Sequence, residues 1–176
     1  MRIKIDKQKS HKLIRKMIFS MKLKDFFRGK KFEPPVDMSK GIPEMLEAIS
    51  TRPDIARKMM PFQKHIYFDG VVERELKEKI FVKVSKMNQC QFCTVTHVGM
   101  LEKFNLKEEG VTEREKVALE YAEQVTTDAN LVSDELYERL SNEFNDSEIV
   151  ELTLAIGLIN LLNKFNDALQ IKANVS

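Results

Sequence analysis

From Ile149 to Leu162 the chain places apolar residues on nearly every side of a helical wheel, in a segment that opens at Asp146 and runs to about Ile171. A helix that is apolar all round has to be wrapped by other elements. This feature predicts a buried central helix with the rest of the fold built around it. No strand pattern of comparable length occurs elsewhere. Only six Gly and five Pro interrupt 176 residues rich in Leu, Met, Lys and Glu, so local propensity also favours helix. The expected fold class is all-α, and a chain of this length with 43% apolar residues can fill one core.

Helical periodicity divides the remainder. Leu13, Ile14, Met17, Ile18 and Met21 form one stripe between Lys12 and Phe27. Pro34, Pro35, Gly41 and Pro43 mark an extended connector within residues 29–43. Pro43 and Pro53 stand as first-turn prolines of short helices over 44–50 and 54–60, and Pro61 restarts the pattern towards Tyr67. A helix over 73–87 is followed within a few residues by another over 90–106, the layout of a helical hairpin. Thr112 with Glu115 is a capping-box pattern for a helix over 113–127, and Ser133 caps one over 134–144. The expected organisation is a basic amphipathic helix or arm (1–31), a linker (32–41) and a helical domain (42–176).

The formal net charge of +2 conceals a strong asymmetry. Residues 1–31 carry twelve Lys or Arg against two Asp, a net of +10, and the rest carries seventeen against twenty-five, a net of −8. The favoured reading of the leader is an arm packing on a neighbouring acidic subunit. Contact with a membrane surface comes next, because Phe19, Phe26 and Phe27 accompany the lysines. Nucleic acid is not expected, since no recognition motif accompanies the charge. The nearest approach to a spanning helix, Leu152 to Leu162, is bounded by Glu151 and broken by Asn160, short of the roughly 18 to 20 apolar residues needed. No small-residue cleavage site follows the leader, and a cytoplasmic location is expected.

The chain has two cysteines, and they stand three apart with a histidine four residues on: Cys90, Cys93 and His97. On a helix these positions share one face. Two thiols one turn apart can close a disulfide after modest adjustment, and the imidazole can take a proton from Cys93. A pair this close cannot constrain an unfolded chain appreciably, so the purpose is chemical. The helix N-terminus favours a thiolate at Cys90, whereas the neighbouring base favours one at Cys93. A zinc site would need a further ligand, and no second CxxC or HxxxH supplies one. The plainest alternative is two buried cysteines packing as small hydrophobes. Val95, Val98 and Leu101 already offer that helix a core-facing side, which leaves the cysteine row to point elsewhere.

The stretch from Glu78 to His97, EKIFVKVSKMNQCQFCTVTH, resembles the signature of the carboxymuconolactone decarboxylase and alkylhydroperoxidase D (AhpD) superfamily. A glutamate twelve residues before the first cysteine, an Asn-x-Cys entry and CxxCxxxH are all present. PDIARKMMPFQKHIYFDG upstream and EIVELTLAIGLINLLNKFNDAL downstream extend the resemblance over roughly residues 42–171. It implies an AhpD-like helical bundle of about seven or eight helices with the CxxC at the start of one, assembled as a trimer or hexamer. It also implies a thiol-dependent peroxidase or disulfide reductase in antioxidant defence. Cys93 would be the peroxidatic thiol, Cys90 its resolving partner, and Glu78 with His97 a proton relay.

No bound cofactor or metal is implied. The resemblance implies that the redox-active Cys90–Cys93 disulfide would be reset by an external dithiol, a lipoyl-bearing or thioredoxin-like reductant, or would exchange with a peroxiredoxin partner. Without the resemblance, Glu78 reads as one charge among Glu73, Arg74, Glu75, Lys77 and Lys79 at a solvated helix start. The alternatives are a lactone decarboxylase, which does not rely on the cysteine pair, and a non-catalytic zinc-binding or redox-sensing module. Phe92 between the cysteines departs from members with a histidine or tyrosine there. Asn160, Asn163, Lys164, Asn166 and Asp167 form a polar ridge read as a subunit contact or ordinary solvation, and Phe62, Tyr67 and Phe68 as core or the lining of a substrate pocket.

Overall fold

The computed structural model describes residues 1–32 and 41–172. Among them are eight α-helices and no strand: α1 (Lys7–Phe27), α2 (Glu44–Ser50), α3 (Pro53–Lys64), α4 (Arg74–Met87), α5 (Gln91–Lys103), α6 (Glu113–Asp128), α7 (Asp134–Glu143) and α8 (Asp146–Leu169). A π-helical turn spans His65–Asp69 and a 3₁₀ turn Ala129–Leu131. The fold is all-α, as expected. Most of the expected linker, with Pro34 and Pro35, lies outside the described residues. No described helix is long and apolar enough to cross a membrane.

Two compact units divide the chain, Met1–Asp69 with Leu169–Ser176, and Gly70–Ala168. In the first, α1 begins earlier than its apolar stripe suggests, because the Asp6 side chain accepts from the Lys9 N–H at 3.0 Å and caps it. Ile14, Met17 and Met21 are buried, and α1 packs on α2 and α3. Glu47 of α2 is buried and takes the His11 ring at 2.5 Å. Lys64 bridges Asp25 at 3.0 Å and Asp69 at 2.8 Å. Pro61 does not restart a helix as expected: α3 runs through it and then widens into the π turn.

The second unit contains the predicted hairpin of α4 and α5, and its corner is built with care. Asn88 caps α4 and Gln89 follows with φ of 58°. The Gln89 N–H reaches the Lys86 carbonyl and the Cys90 N–H the Ser85 carbonyl, both at 3.0 Å. That pairing is a Schellman motif, and its last residue is Cys90, which is also the N-cap of α5. The same device closes α5: Asn105 takes φ of 53° and the Leu106 N–H reaches the Leu101 carbonyl at 3.0 Å. For this reason α5 stops at Lys103, short of the expected Leu106. The Thr112/Glu115 capping box and the Ser133 cap form as read from the sequence.

Two expectations about burial are overturned. α8 buries Leu152, Ala155, Ile156 and Ile159, but Val150, Leu154 and Leu161 are exposed on another face, so it is not enclosed on every side. In α5 the inward row is Cys93, His97 and Leu101, while Val95 is exposed and Val98 half-buried. The cysteine row therefore points into the core. Three successive charged residues of α4, Lys77, Glu78 and Lys79, are buried as well. Each has a polar partner: Lys77 with Glu151 at 2.7 Å, Glu78 with the His97 ring at 2.7 Å and the Arg74 guanidinium at 3.9 Å, and Lys79 with Glu115 at 2.8 Å. Pairing offsets the desolvation that would otherwise exclude them.

Candidate active site

The hairpin positions the chemistry. Antiparallel packing of α4 against α5 sets Glu78 beside His97, with the carboxylate Oε2 2.7 Å from the imidazole Nδ1. The ring rests 5.0 Å from that of Phe81, one turn further along α4. The Schellman corner places Cys90 at the mouth of α5 and Cys93 in its first turn, and the two sulfurs stand 3.0 Å apart as free thiols. All four residues named from the sequence, Glu78, Cys90, Cys93 and His97, are thus brought together.

α8 supplies the other wall. Asn166 Nδ2 donates to Cys93 Sγ at 3.2 Å. Asn163 donates to the Ser85 hydroxyl at 3.1 Å and accepts from Asn88 at 2.9 Å, and Asn88 also donates to Asn160 at 2.8 Å. The polar ridge is therefore neither a subunit contact nor solvated surface over Asn163 and Asn166, which are buried against the thiols. Its signal was present in the sequence: amides recurring every three residues inside an apolar helix must find partners when buried. Lys164 and Asp167 alone stay exposed. Phe62 is exposed and Tyr67 buried, both within the first unit.

The two thiols differ sharply in acidity. Cys93 is drawn down to about 7, first by the hydrogen bond from Cys90, against the effect of burial, and then by the Asn166 amide and the charge on His97. Cys90 is pushed up, chiefly because its proton is held by Cys93, with burial adding and a hydrogen bond to Asp167 reinforcing it. The helix terminus does favour a Cys90 thiolate through the Cys93 backbone N–H, but the thiol's hydrogen bond to Cys93 and its burial outweigh it. The arrangement separates a nucleophile from a proton-bearing partner.

Both sulfurs are buried, Cys90 fully and Cys93 at 3% exposure, where the sequence suggested a row within reach of solvent. Reaction with an outside molecule therefore requires local opening of the packing around them. At the α4–α5 corner beside them, Asn88 and Phe92 are half-buried and Gln89 and Gln91 exposed. Among the described residues no group of three or more His, Cys, Asp or Glu could hold a metal ion.

Residues 53–130 match the carboxymuconolactone decarboxylase family. The uncharacterized protein YdfG of Bacillus subtilis is 29% identical over 134 residues, covering 69% of this chain and 90% of that protein. Among solved structures, a protein of unknown function from Agrobacterium tumefaciens is 27% identical with a TM-score of 0.66, covering 73% of this chain and 97% of the other. The alkylhydroperoxidase AhpD core of a peroxidase-related protein from Ralstonia eutropha JMP134 superposes with a TM-score of 0.72 at 20% identity, covering 92% of this chain and 85% of the other. Residues 53–130, which hold Glu78, Cys90, Cys93 and His97, thus carry the match to the carboxymuconolactone decarboxylase family, and the fold is the AhpD-like helical bundle.

Proposed function

We propose that this protein is a thiol-dependent peroxidase with disulfide reductase chemistry, carried by Cys93 and Cys90. The single observation that supports it most is the contact of two free sulfurs at 3.0 Å, one acidified and the other holding its proton, beside a buried Glu78–His97 pair. Cys93 thiolate attacks the terminal oxygen of a hydroperoxide, the O–O bond breaks, and a proton passed along His97 and Glu78 leaves with the alcohol. Cys93 is then a sulfenic acid. Cys90 attacks it, the S–O bond breaks, water departs with the Cys90 proton, and a disulfide remains. An external dithiol donates two electrons and two protons to restore the thiols, without a bound cofactor or metal.

A lipoyl group, a thioredoxin-like protein or a peroxiredoxin fits the role of exchange partner, since each presents a small sulfur centre to the opened site. The exposed stripe of Val150, Leu154 and Leu161 on α8 supports self-association into a trimer or hexamer. The test is to mix reduced protein with hydrogen peroxide and organic hydroperoxides, supply dihydrolipoamide or thioredoxin, and follow peroxide loss together with the Cys90–Cys93 disulfide. Cys93→Ser should abolish turnover; sustained consumption by that variant would refute the assignment.

A further inference from the structure

α1 uses one face inside its own unit and leaves the other uncovered. Ile14, Met17 and Met21 are buried. At about 100° per residue, the opposite side carries Phe19, Leu23 and Phe26 along its crest, with Lys12, Arg15 and Lys22 beside them. Phe19, Phe26 and Phe27 are 68%, 74% and 77% exposed. Large rings are normally withdrawn from water, and a cluster of them marks a contact surface. The only carboxylate within α1, Asp25, is buried and bound to Lys64 at 3.0 Å, so the outward face bears cations and rings with no acid among them. On its flank a cleft of about 220 Å³ is lined by Lys9, Lys12 and Lys16 together with Arg57 of α3.

An acidic protein surface would answer the cations but not the rings. Single-stranded nucleic acid would stack on aromatics within a groove that tracks its backbone, whereas these rings stand on the convex crest of a helix. A bilayer surface satisfies both parts. Interfacial helices place rings at the boundary of headgroups and acyl chains and lysines against anionic phosphates. We propose that the outward face of α1 docks this protein on membranes containing anionic phospholipid, with the rings entering the interface and the Lys9, Lys12, Lys16 and Arg57 cleft receiving headgroup phosphate. This docking is independent of the redox chemistry.

The test uses the full chain in flotation with vesicles of phosphatidylcholine alone or mixed with phosphatidylglycerol. Binding is expected to the mixed vesicles only. It should fall by about tenfold or more in Phe19→Ser/Phe26→Ser/Phe27→Ser, and likewise in Lys12→Glu/Lys16→Glu. All these side chains are exposed, and unchanged circular-dichroism melting will establish that the variants fold. Equal binding to both vesicle types, or binding indifferent to loss of the rings, overturns the proposal. So does absence of vesicle binding, whether accompanied by a concentration-dependent rise in mass that the triple variant abolishes, which would make the face a contact between copies, or by capture of a single-stranded oligonucleotide.

Discussion

The amide of Asn166, near the end of α8, donates to the sulfur of Cys93, in the first turn of α5, across 3.2 Å. A donor aimed at a buried sulfur stabilises the thiolate over the thiol, because the anion accepts the stronger hydrogen bond. Asn163 and Asn88 tie the same helix to the α4–α5 corner at 2.9 Å, which holds the donor in place. Asn166 is therefore a positioning and charge-stabilising residue for Cys93.

Replacing that donor should raise the pH at which Cys93 becomes reactive. Asn166→Ala is expected to move the midpoint of iodoacetamide alkylation up by about one pH unit, the effect of one charge-assisted hydrogen bond. Asn166→Asp should move it further, since a carboxylate repels the thiolate. Measuring both against the parent in a Cys90→Ser background isolates Cys93, and an unchanged midpoint in Asn166→Ala would remove Asn166 from the site.

In the reduced parent protein, alkylation of Cys93 should follow a titration centred near 7 rather than near the ordinary 9.0. Stability carries the same signature. Between those two values the unfolded chain holds the Cys93 proton that the native state has released, so stability rises with pH. Above the ordinary thiol range the sign reverses, because native Cys90 keeps a proton that the unfolded chain loses. Denaturant midpoints measured from pH 6 to 10 should pass through a maximum, and the oxidised protein, lacking both thiols, should show no such dome.

Cys90→Ser should retain the first chemical step and lose the second. The variant is expected to consume one equivalent of hydroperoxide and stop, leaving a sulfenic acid on Cys93 that dimedone labels and mass spectrometry detects. Continued turnover with a dithiol would show that Cys90 is not the resolving thiol.

The Glu78–His97 pair is expected to act as a unit. Glu78→Gln preserves the shape while removing the charge 2.7 Å from Nδ1, and should lower the peroxidase rate by about a hundredfold or more. Adding His97→Gln should cost little beyond that, and full additivity of the two losses would argue against a relay.

Glu151 is a structural centre of the second unit. Its carboxylate accepts from the buried Lys77 ammonium at 2.7 Å and the Val71 N–H at 2.5 Å, and a Cβ on Gly70 would lie 2.0 Å from Oε1. Glu151→Ala should destabilise by about 3 kcal/mol because it strands Lys77. The double variant Lys77→Met/Glu151→Leu should recover most of that loss, and Gly70→Ala should approach the single variant by displacing the carboxylate. Urea midpoints with a common slope give the comparison.

Much of the architecture was readable in the order of residues. α2 spans the residues expected, and the Thr112/Glu115 and Ser133 caps form where hydroxyls precede acidic first turns, because capping is decided within a few residues. The end of α5 was missed although Asn105 could have signalled it, since asparagine is the commonest substitute for glycine in a left-handed cap. Glu78, Cys90, Cys93 and His97 are singled out by spacing and resemblance, and the fold brings them together. Asn166 was seen as part of a polar ridge, but nothing in the chain order says what lies across from it.

Sequence alone determined which stretches are helical and how α6 and α7 are capped, that two thiols and an imidazole share one helical face, and that charge separates the first 31 residues from the rest. These follow from periodicity and local hydrogen bonding, which act over one or two turns. Tertiary structure decided which face of α5 turns inward, that Lys77, Glu78 and Lys79 are buried with polar partners, and that an amide from a helix some seventy residues away along the chain reaches Cys93. Those outcomes depend on which surfaces meet, and burial of a polar group is tolerated only when a distant partner arrives to satisfy it.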